Sequence, residues 1–189
     1  YLEVEGLSLD PKALFETIRP SAKLSTEEQY LNGRDLWRSH PALQSLLLRK
    51  LSPLAFALTG KNQLRLACDQ WIPPKAAPKT RLPAKDLFSI QGLALCVLMA
   101  ESTSPLPPSK LGLLPLPSQP SHLLFFKPTL LLDWPRLLKV PTDLYLAVYA
   151  LPISVYVQNL KDPATNALKQ LGYAFGDTLK NEFHPLIVG

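Results

Sequence analysis

The stretch that decides the fold is Asp143-Leu-Tyr-Leu-Ala-Val-Tyr-Ala150, followed after Leu151-Pro152 by Ile153-Ser-Val-Tyr-Val157. Apolar and aromatic β-formers fill it almost without interruption, which reads as strand rather than helix. Proline lacks a backbone donor, so the reading is two strands with a break at Leu151-Pro152. Tyr145 and Tyr149 share strand parity and therefore face one side together. Beyond them, Asp162-Pro163 caps a short helix near 163–171 that ends at Gly172. The last segment carries Gly176-Asp177 and His184-Pro185.

Working outward, the first 60 residues have a helical texture. Asp10-Pro11 is an N-cap followed by proline at the first helical position, and Leu14, Phe15 and Ile18 supply an apolar face. Ser25-Thr26-Glu27-Glu28 matches a capping box, and Asn32-Gly33 ends that helix. Leu43, Leu47, Leu51, Leu54 and Leu58 then recur at helical spacing from His40-Pro41 to Gly60, a stripe expected to face the core. Pro53 should kink or split this helix. From residue 63 the period changes. Leu64, Leu66 and Cys68 alternate with Arg65, Ala67 and Asp69, the pattern of a half-buried strand ending at Gln70-Trp71. Leu87–Met99, with an interruption at Gln91-Gly92, and His122–Phe126 read as further strands. Leu132–Arg136 reads as a connector or helical turn.

Two proline-rich loops interrupt the sheet, and the chain holds 20 prolines against eight glycines. Residues 72–85 carry Lys75, Lys79, Arg81 and Lys85 with no acid before Asp86, while residues 103–120 carry one charge, Lys110. Strands on both sides need each other for burial, so neither loop divides the chain. The expectation is one domain over 1–189, mainly helical over 1–60 and mainly sheet over 61–189. Helices followed by many short strands give an α+β class with helices packed on a sandwich or jelly roll.

Composition narrows the function classes. With 47% hydrophobic residues, 19% charged residues and a net charge of +5, this is the balance of a soluble globular chain. Such a charge is ordinary for a bacterial cytoplasmic protein, and no basic recognition helix or aromatic-interleaved basic run points to nucleic acid. No apolar run is long enough to span a membrane. Cys68 and Cys96 lie in strand-like apolar runs and are expected as buried free thiols.

Motifs for chemistry are sparse. There is no G-x-S-x-G elbow, P-loop or G-x-G-x-x-G, so neither acyl transfer nor phosphate cradling is indicated. The three histidines, His40, His122 and His184, belong to no H-x-D, H-x-E or H-x-x-x-H pair, and no C-x-x-C exists. A two-histidine-one-carboxylate site could be assembled only from distant positions: His122, His184 and Asp69 or Asp177. For binding, the candidates are the hydroxyls of Tyr145 and Tyr149, which would line a pocket or anchor the core, and the cations Lys75, Lys79 and Arg81, which could guide an anionic partner. No catalytic residue, cofactor or named partner follows from these patterns.

The order Leu93–Glu101, Ser121–Phe126 and Tyr145–Tyr149 resembles the strands of the double-stranded β-helix in Fe(II)/2-oxoglutarate-dependent oxygenases, the phytanoyl-CoA branch above all. The chain is also similar to a conserved chlamydial group with such a fold and without the iron ligands, described as divalent-cation-dependent regulators. The resemblance implies a jelly-roll core and, in the enzymes, an H-x-D/E motif, a second histidine and an arginine that grips 2-oxoglutarate. This chain has no H-x-D/E and no arginine beyond Arg136. The expectation is thus an oxygenase-like fold that works by binding or by other chemistry. A divergent metal-dependent oxygenase and a metal-responsive regulator stand as the alternatives.

Overall fold

The computed structural model describes residues 1–4, 10–76, 78–101, 122–137 and 142–189. The loop over 103–120 lies outside them. Near the start, the Asp10 carboxylate accepts from the Ala13 N–H at 3.2 Å and Pro11 opens helix α1, Pro11–Ile18. Ser25 and Glu28 satisfy each other's backbone donors in the expected capping box, which begins α2, Thr26–Asn32. The leucine-striped helix is split. It runs as α3, Pro41–Ser45, a π turn over Leu46–Lys50, and α4, Ser52–Thr59, with Pro53 in the first turn of α4 where its missing donor costs nothing. The split resets the helical phase. Leu43, Leu47 and Leu51 stay buried, whereas Leu54 is only partly covered and Leu58 is 40% exposed, which corrects the single core-facing stripe.

The sheet strands are β1 (Leu2–Val4), β2 (Gln63–Ile72), β3 (Arg81–Pro83), β4 (Ile90–Ala100), β5 (Leu123–Phe126), β6 (Leu131–Asp133), β7 (Leu144–Tyr156) and β8 (Leu186–Val188). Six of them form one sheet in the order β1-β5-β4-β7-β2-β8, and β3 pairs with β6 in a second small sheet. Every pairing is antiparallel. Short helical turns over Ala84–Leu87, Trp134–Leu137 (α5) and Ala167–Leu171 complete the mixed α/β fold. The last of these is the helix expected near 163–171, reduced to a 3-10 turn. Among the described residues no helix is long and apolar enough to cross a membrane.

Both faces of the large sheet are covered. Leu64, Leu66, Val97, Phe125, Tyr145 and Tyr149 pack against Phe15, Leu43, Leu47 and Ala55 of the helices. Cys68, Cys96, Leu98, Leu124, Leu146 and Val148 face the other way, onto Phe88, Leu132, Trp134 and Leu137. A strand buried on both sides loses the polar half of its alternation, which is why residues 144–150 are apolar throughout. For the same reason β2 is not half-buried as its alternation suggested. A register shift between Leu66 and Cys68 also turns Cys68 to the face opposite Leu64 and Leu66. Both cysteines are buried and free, and burial raises both thiol pKa values.

The break expected at Leu151-Pro152 is not a chain break; β7 is one strand of 13 residues. Its register against β4 jumps instead: Gln91 pairs with Val155, and Leu93 pairs with Ala150. Residues 151–154 therefore bulge outward opposite Gly92. The bulge suits proline because no ladder bond is required of it, and the Pro152 carbonyl accepts from Arg65 Nε at 2.8 Å. Gly92 sits at φ +95°, and the Ser154 hydroxyl donates to its carbonyl at 2.9 Å. A Cβ at residue 92 would lie 2.4 Å from Ser154 Oγ.

Gly92 therefore carries two constraints and Gly60 only one, since Gly60 has φ +64° but open space around its missing Cβ. Gly92→Ala should lower unfolding free energy by about 2–3 kcal/mol, combining left-handed strain with a steric displacement. Gly60→Ala should cost about 1 kcal/mol from backbone strain alone. Urea denaturation of the two variants checks the difference; equal losses would show that the bulge tolerates a side chain.

Candidate functional site

Asp69 lies on β2 and points to the helix side of the sheet, fully buried. One carboxylate oxygen accepts from the Trp37 N–H at 2.9 Å and from the Tyr145 hydroxyl, while the other has no hydrogen-bond partner among the described residues. Burial is the main reason its pKa rises to about 7, and nearby Asp35 pushes the same way. Tyr149, on the same face, donates to the Leu47 carbonyl at 2.6 Å. Both tyrosines are buried, so the shared parity read from sequence anchors helices to sheet and lines no pocket.

His184 sits just ahead of β8, buried between two guanidinium groups. Arg38 Nη2 lies 3.4 Å from its Nε2 and Tyr173 Oη lies 2.9 Å from its Nδ1. Arginine can only donate, so Nε2 accepts and the ring proton resides on Nδ1, directed at the tyrosine oxygen. That oxygen also accepts from the Lys180 N–H at 2.7 Å. Burial, with Arg38 and Arg65 adding to it, lowers the histidine pKa to about 3. His184 is a neutral structural link. Arg65 continues it, donating to the His184 carbonyl at 2.8 Å and to Asn181 Oδ1 at 2.6 Å.

A third polar cluster closes one end of the inner core, and sequence reasoning missed it. Arg34, which follows α2, donates to Gln70 Oε1 at 2.6 Å, to the Leu87 carbonyl at 3.1 Å and to Asp162 Oδ1 at 2.9 Å. Its guanidinium also lies 4.8 Å from the centre of the Phe88 ring. Asp162 accepts from Ser89 Oγ and from the Ala164 N–H, each at 2.9 Å. The sequence marked Asp162 as a helix cap, but the 3-10 turn starts only at Ala167 with Asn166 at its cap position, so Asp162 instead holds the turn before it through the Ala164 N–H. Its ion-pair partner is 128 residues away and leaves no local pattern.

The remaining candidates are scattered. His122 stands before β5 with its Nδ1 2.9 Å from Glu3 Oε1, and Asp177 accepts from the Ala174 N–H at 2.8 Å. In the sheet order β4, β7 and β2 lie between β5 and β8, so the segments that carry His122 and His184 are not neighbours in the sheet. Arg81 pairs with Asp133 at 2.8 Å across β3 and β6, and Lys75 edges an open hollow beside Arg19 and Trp71. Lys79 is exposed and takes no part in these clusters.

These residues do not fit an iron centre. Among the described residues no three His, Cys, Asp or Glu side chains converge on one point. The residues outside that set contain one carboxylate, Glu5, and neither histidine nor cysteine. His40, the third histidine, has Nδ1 2.8 Å from the Leu36 carbonyl within its own turn. The three histidines thus contact different protein groups: His122 with Glu3, His40 with the Leu36 carbonyl, and His184 with Arg38 and Tyr173.

Two predictions follow from the buried charges. Asp69 binds its proton more tightly folded than unfolded, so its contribution is full below about pH 4 and is lost as pH rises through 7. His184 does the reverse: its contribution is full above about pH 6.5 and is lost as pH falls towards 3. Between about pH 4 and 6.5 the two oppose each other. Asp69→Asn should make the melting temperature rise with pH across that window, and His184→Gln should make it fall; slopes unchanged from the parent protein would refute the assignments. Separately, Arg34→Met strands the Asp162 carboxylate and should cost about 3–5 kcal/mol in chemical denaturation.

No family model matches the chain, and no curated protein matches it. Solved structures do. The chain is similar to SnoN, an epimerase of nogalamycin biosynthesis crystallised with Fe3+, α-ketoglutarate and nogalamycin RO, at 14% identity and a TM-score of 0.61, covering 98% of this chain and 93% of that one. It is also similar to SnoK, a non-haem α-ketoglutarate-dependent carbocyclase of the same biosynthesis, at 17% identity and a TM-score of 0.58, covering 82% and 74%. CT296 from Chlamydia trachomatis matches at 17% identity and a TM-score of 0.46 over 79% of this chain and 84% of that one. At these identities the likeness to SnoN and SnoK concerns the fold alone: the chain has the fold of non-haem α-ketoglutarate-dependent enzymes.

Proposed function

We propose that this chain is a single-domain binding protein on a jelly-roll scaffold of the oxygenase type, and that it does not run iron chemistry. The observation that carries this reading is that, among the described residues, the candidate donors do not converge on one point. His184 is locked neutral between Arg38 and Tyr173, Asp69 is held by Tyr145 and the Trp37 N–H, and His122 and Asp177 lie elsewhere. The space between the two sheets supports the same reading. Leu98, Leu132, Leu146, Val148 and Trp134 fill it with apolar packing, and the Arg34–Asp162 pair brings charge to one end. A dry interior of this kind offers no carboxylate pair or free imidazole to a hydrated cation.

The fold's α-ketoglutarate chemistry needs both a metal triad and a cation for the co-substrate carboxylate. The expected arginine is missing by sequence beyond Arg136, and upstream Arg34, Arg38 and Arg65 are already bonded to protein groups. The expected result with purified protein is no stoichiometric Fe(II) or Co(II) uptake by calorimetry and no succinate from 2-oxoglutarate above a protein-free control. One equivalent of Fe(II) together with 2-oxoglutarate-dependent succinate would overturn the proposal in favour of a divergent oxygenase.

A further inference from the structure

The large sheet has a notch. Strand β5 pairs with only Cys96, Val97 and Leu98 of β4, then leaves the sheet through a turn in which the Leu130 N–H donates to the Lys127 carbonyl at 2.9 Å. From Ile90 to Leu95, β4 has β7 on one side and, among the described residues, no strand on the other. Two hollows flank this free edge, about 400 Å³ on the small-sheet side and about 440 Å³ on the α4 side. Both are bordered by Leu93, Pro128 and Thr129, so they are the two sides of one gap in the sheet.

An extended chain laid in such a gap hydrogen-bonds through its backbone and directs alternate side chains to opposite faces. Here one face meets the half-covered Leu93 and the other meets Ala94 and Leu58, so apolar contacts are offered on both sides. The charge is one-sided. The borders carry Lys61, Lys85, Lys127 and Lys161 against the one carboxylate of Asp86. Asp86 is shared by Lys85 at 3.0 Å and Lys161 at 2.7 Å, whereas exposed Lys61 and Lys127 have no acidic partner among the described residues. The register of β4 against β7 shifts between Gln91 and Leu93 and again between Leu93 and Leu95, so the edge is irregular here and an added strand can make only a few backbone bonds beside Leu93–Leu95.

We propose that the notch beside β4 receives a short extended acidic segment of a partner protein, which adds to the sheet as a strand along Leu93–Leu95. Its carboxylates meet Lys61 and Lys127, and its alternate apolar residues enter the two hollows. This deepens the binding reading given above and rests on it. A single-stranded nucleic acid fits worse, because Phe88 is the one aromatic side chain bordering either hollow and stacking would be weak.

The test uses the full chain and a library of eight-residue peptides alternating Asp or Glu with Leu or Val, with a charge-reversed Lys library as control. Fluorescence anisotropy should select acidic peptides whose affinity falls with added salt. N-methylating alternate peptide amides that face β4 should weaken binding about tenfold, the worth of one or two backbone hydrogen bonds. The exposed pair Lys61→Glu/Lys127→Glu should weaken it about as much or more, with an unchanged melting temperature reporting an intact fold. Equal binding of the acidic and lysine libraries, indifference to N-methylation on either register, or tighter binding of oligo(U) than of any peptide would each overturn the proposal. Concentration-dependent dimerisation abolished by the lysine pair would assign the notch to a second copy and overturn it too. Failure here together with absent succinate formation removes the peptide but leaves a binding protein; metal-dependent succinate removes both.

Discussion

Strand β7 lies between β4 and β2 with protein against both of its faces, and the remaining architecture answers to that burial. A seven-residue run from Leu144 to Ala150 with no exposed position needs a covering layer on each side. The helices supply one, the β3–β6 sheet with its short turns the other. Burying an apolar side chain of this size is worth about 1.5–3 kcal/mol, so losing either layer would expose several such contributions at once. The tyrosines in this run carry polar atoms into the dry layer, and each must be satisfied there. Tyr149 reaches the Leu47 carbonyl exposed by the π turn, and Tyr145 reaches Asp69. The irregular helix and the buried acid are therefore parts of how the sheet holds its hydroxyls.

Burial on both faces also decides where charge can live. The middle of the inner layer admits none, so ionised groups collect at its end and edge, each inside a closed set of partners. Arg34 and Asp162 stop one end with bonds to four further groups, and Arg38, Arg65, Tyr173 and His184 tie the C-terminal segment to the sheet edge. Breaking either set leaves a charge without water or counter-ion, which costs more than the set contributes. The same logic bears on the fold's relation to iron enzymes. A metal triad is a polar cluster that must stay open at one position. In this chain Arg34–Asp162 and Arg38–His184 are bonded to protein groups, and among the described residues no three His, Cys, Asp or Glu side chains converge.

Much of the fold was legible from local chemistry. Asp10-Pro11 and the Ser25–Glu28 box act through neighbours three residues away, so their signals are complete within the sequence. The parity of Tyr145 and Tyr149 is equally local, and it held. What failed depended on distance. Cys68 was placed with Leu64 and Leu66 because nothing local marks the register shift at Ala67. Leu58 looked like core because the π turn that resets the helix is set by packing. His184 and Asp69 read as possible ligands, since residue type is visible in sequence and partners are not. Arg34–Asp162 and Arg38–His184 join residues 128 and 146 positions apart, and only the fold reveals that they are spent on each other.

Pro152 shows how one misread local signal becomes a tertiary constraint. A proline in a central strand removes a ladder donor, so sequence logic places a break there. The chain instead keeps the strand and moves four residues out of register opposite Gly92. That move needs a glycine at φ +95° on β4, a hydroxyl at Ser154 to occupy the Gly92 carbonyl, and a donor for the carbonyl of Pro152 itself. Arg65 is that donor, and its other bonds run to Asn181 and to the His184 carbonyl. The bulge thus draws the C-terminal segment onto the sheet edge, where β8 can pair with β2. With a second register shift between Leu93 and Leu95, it leaves the edge of β4 beside the gap irregular, so an added strand can pair only over a short length. Natural sheets blunt open edges with bulges and lysines, and this one has both. The difference is that the gap lies inside the strand order, between pairs that are already made, and two of the lysines beside it, Lys61 and Lys127, have no acidic partner among the described residues.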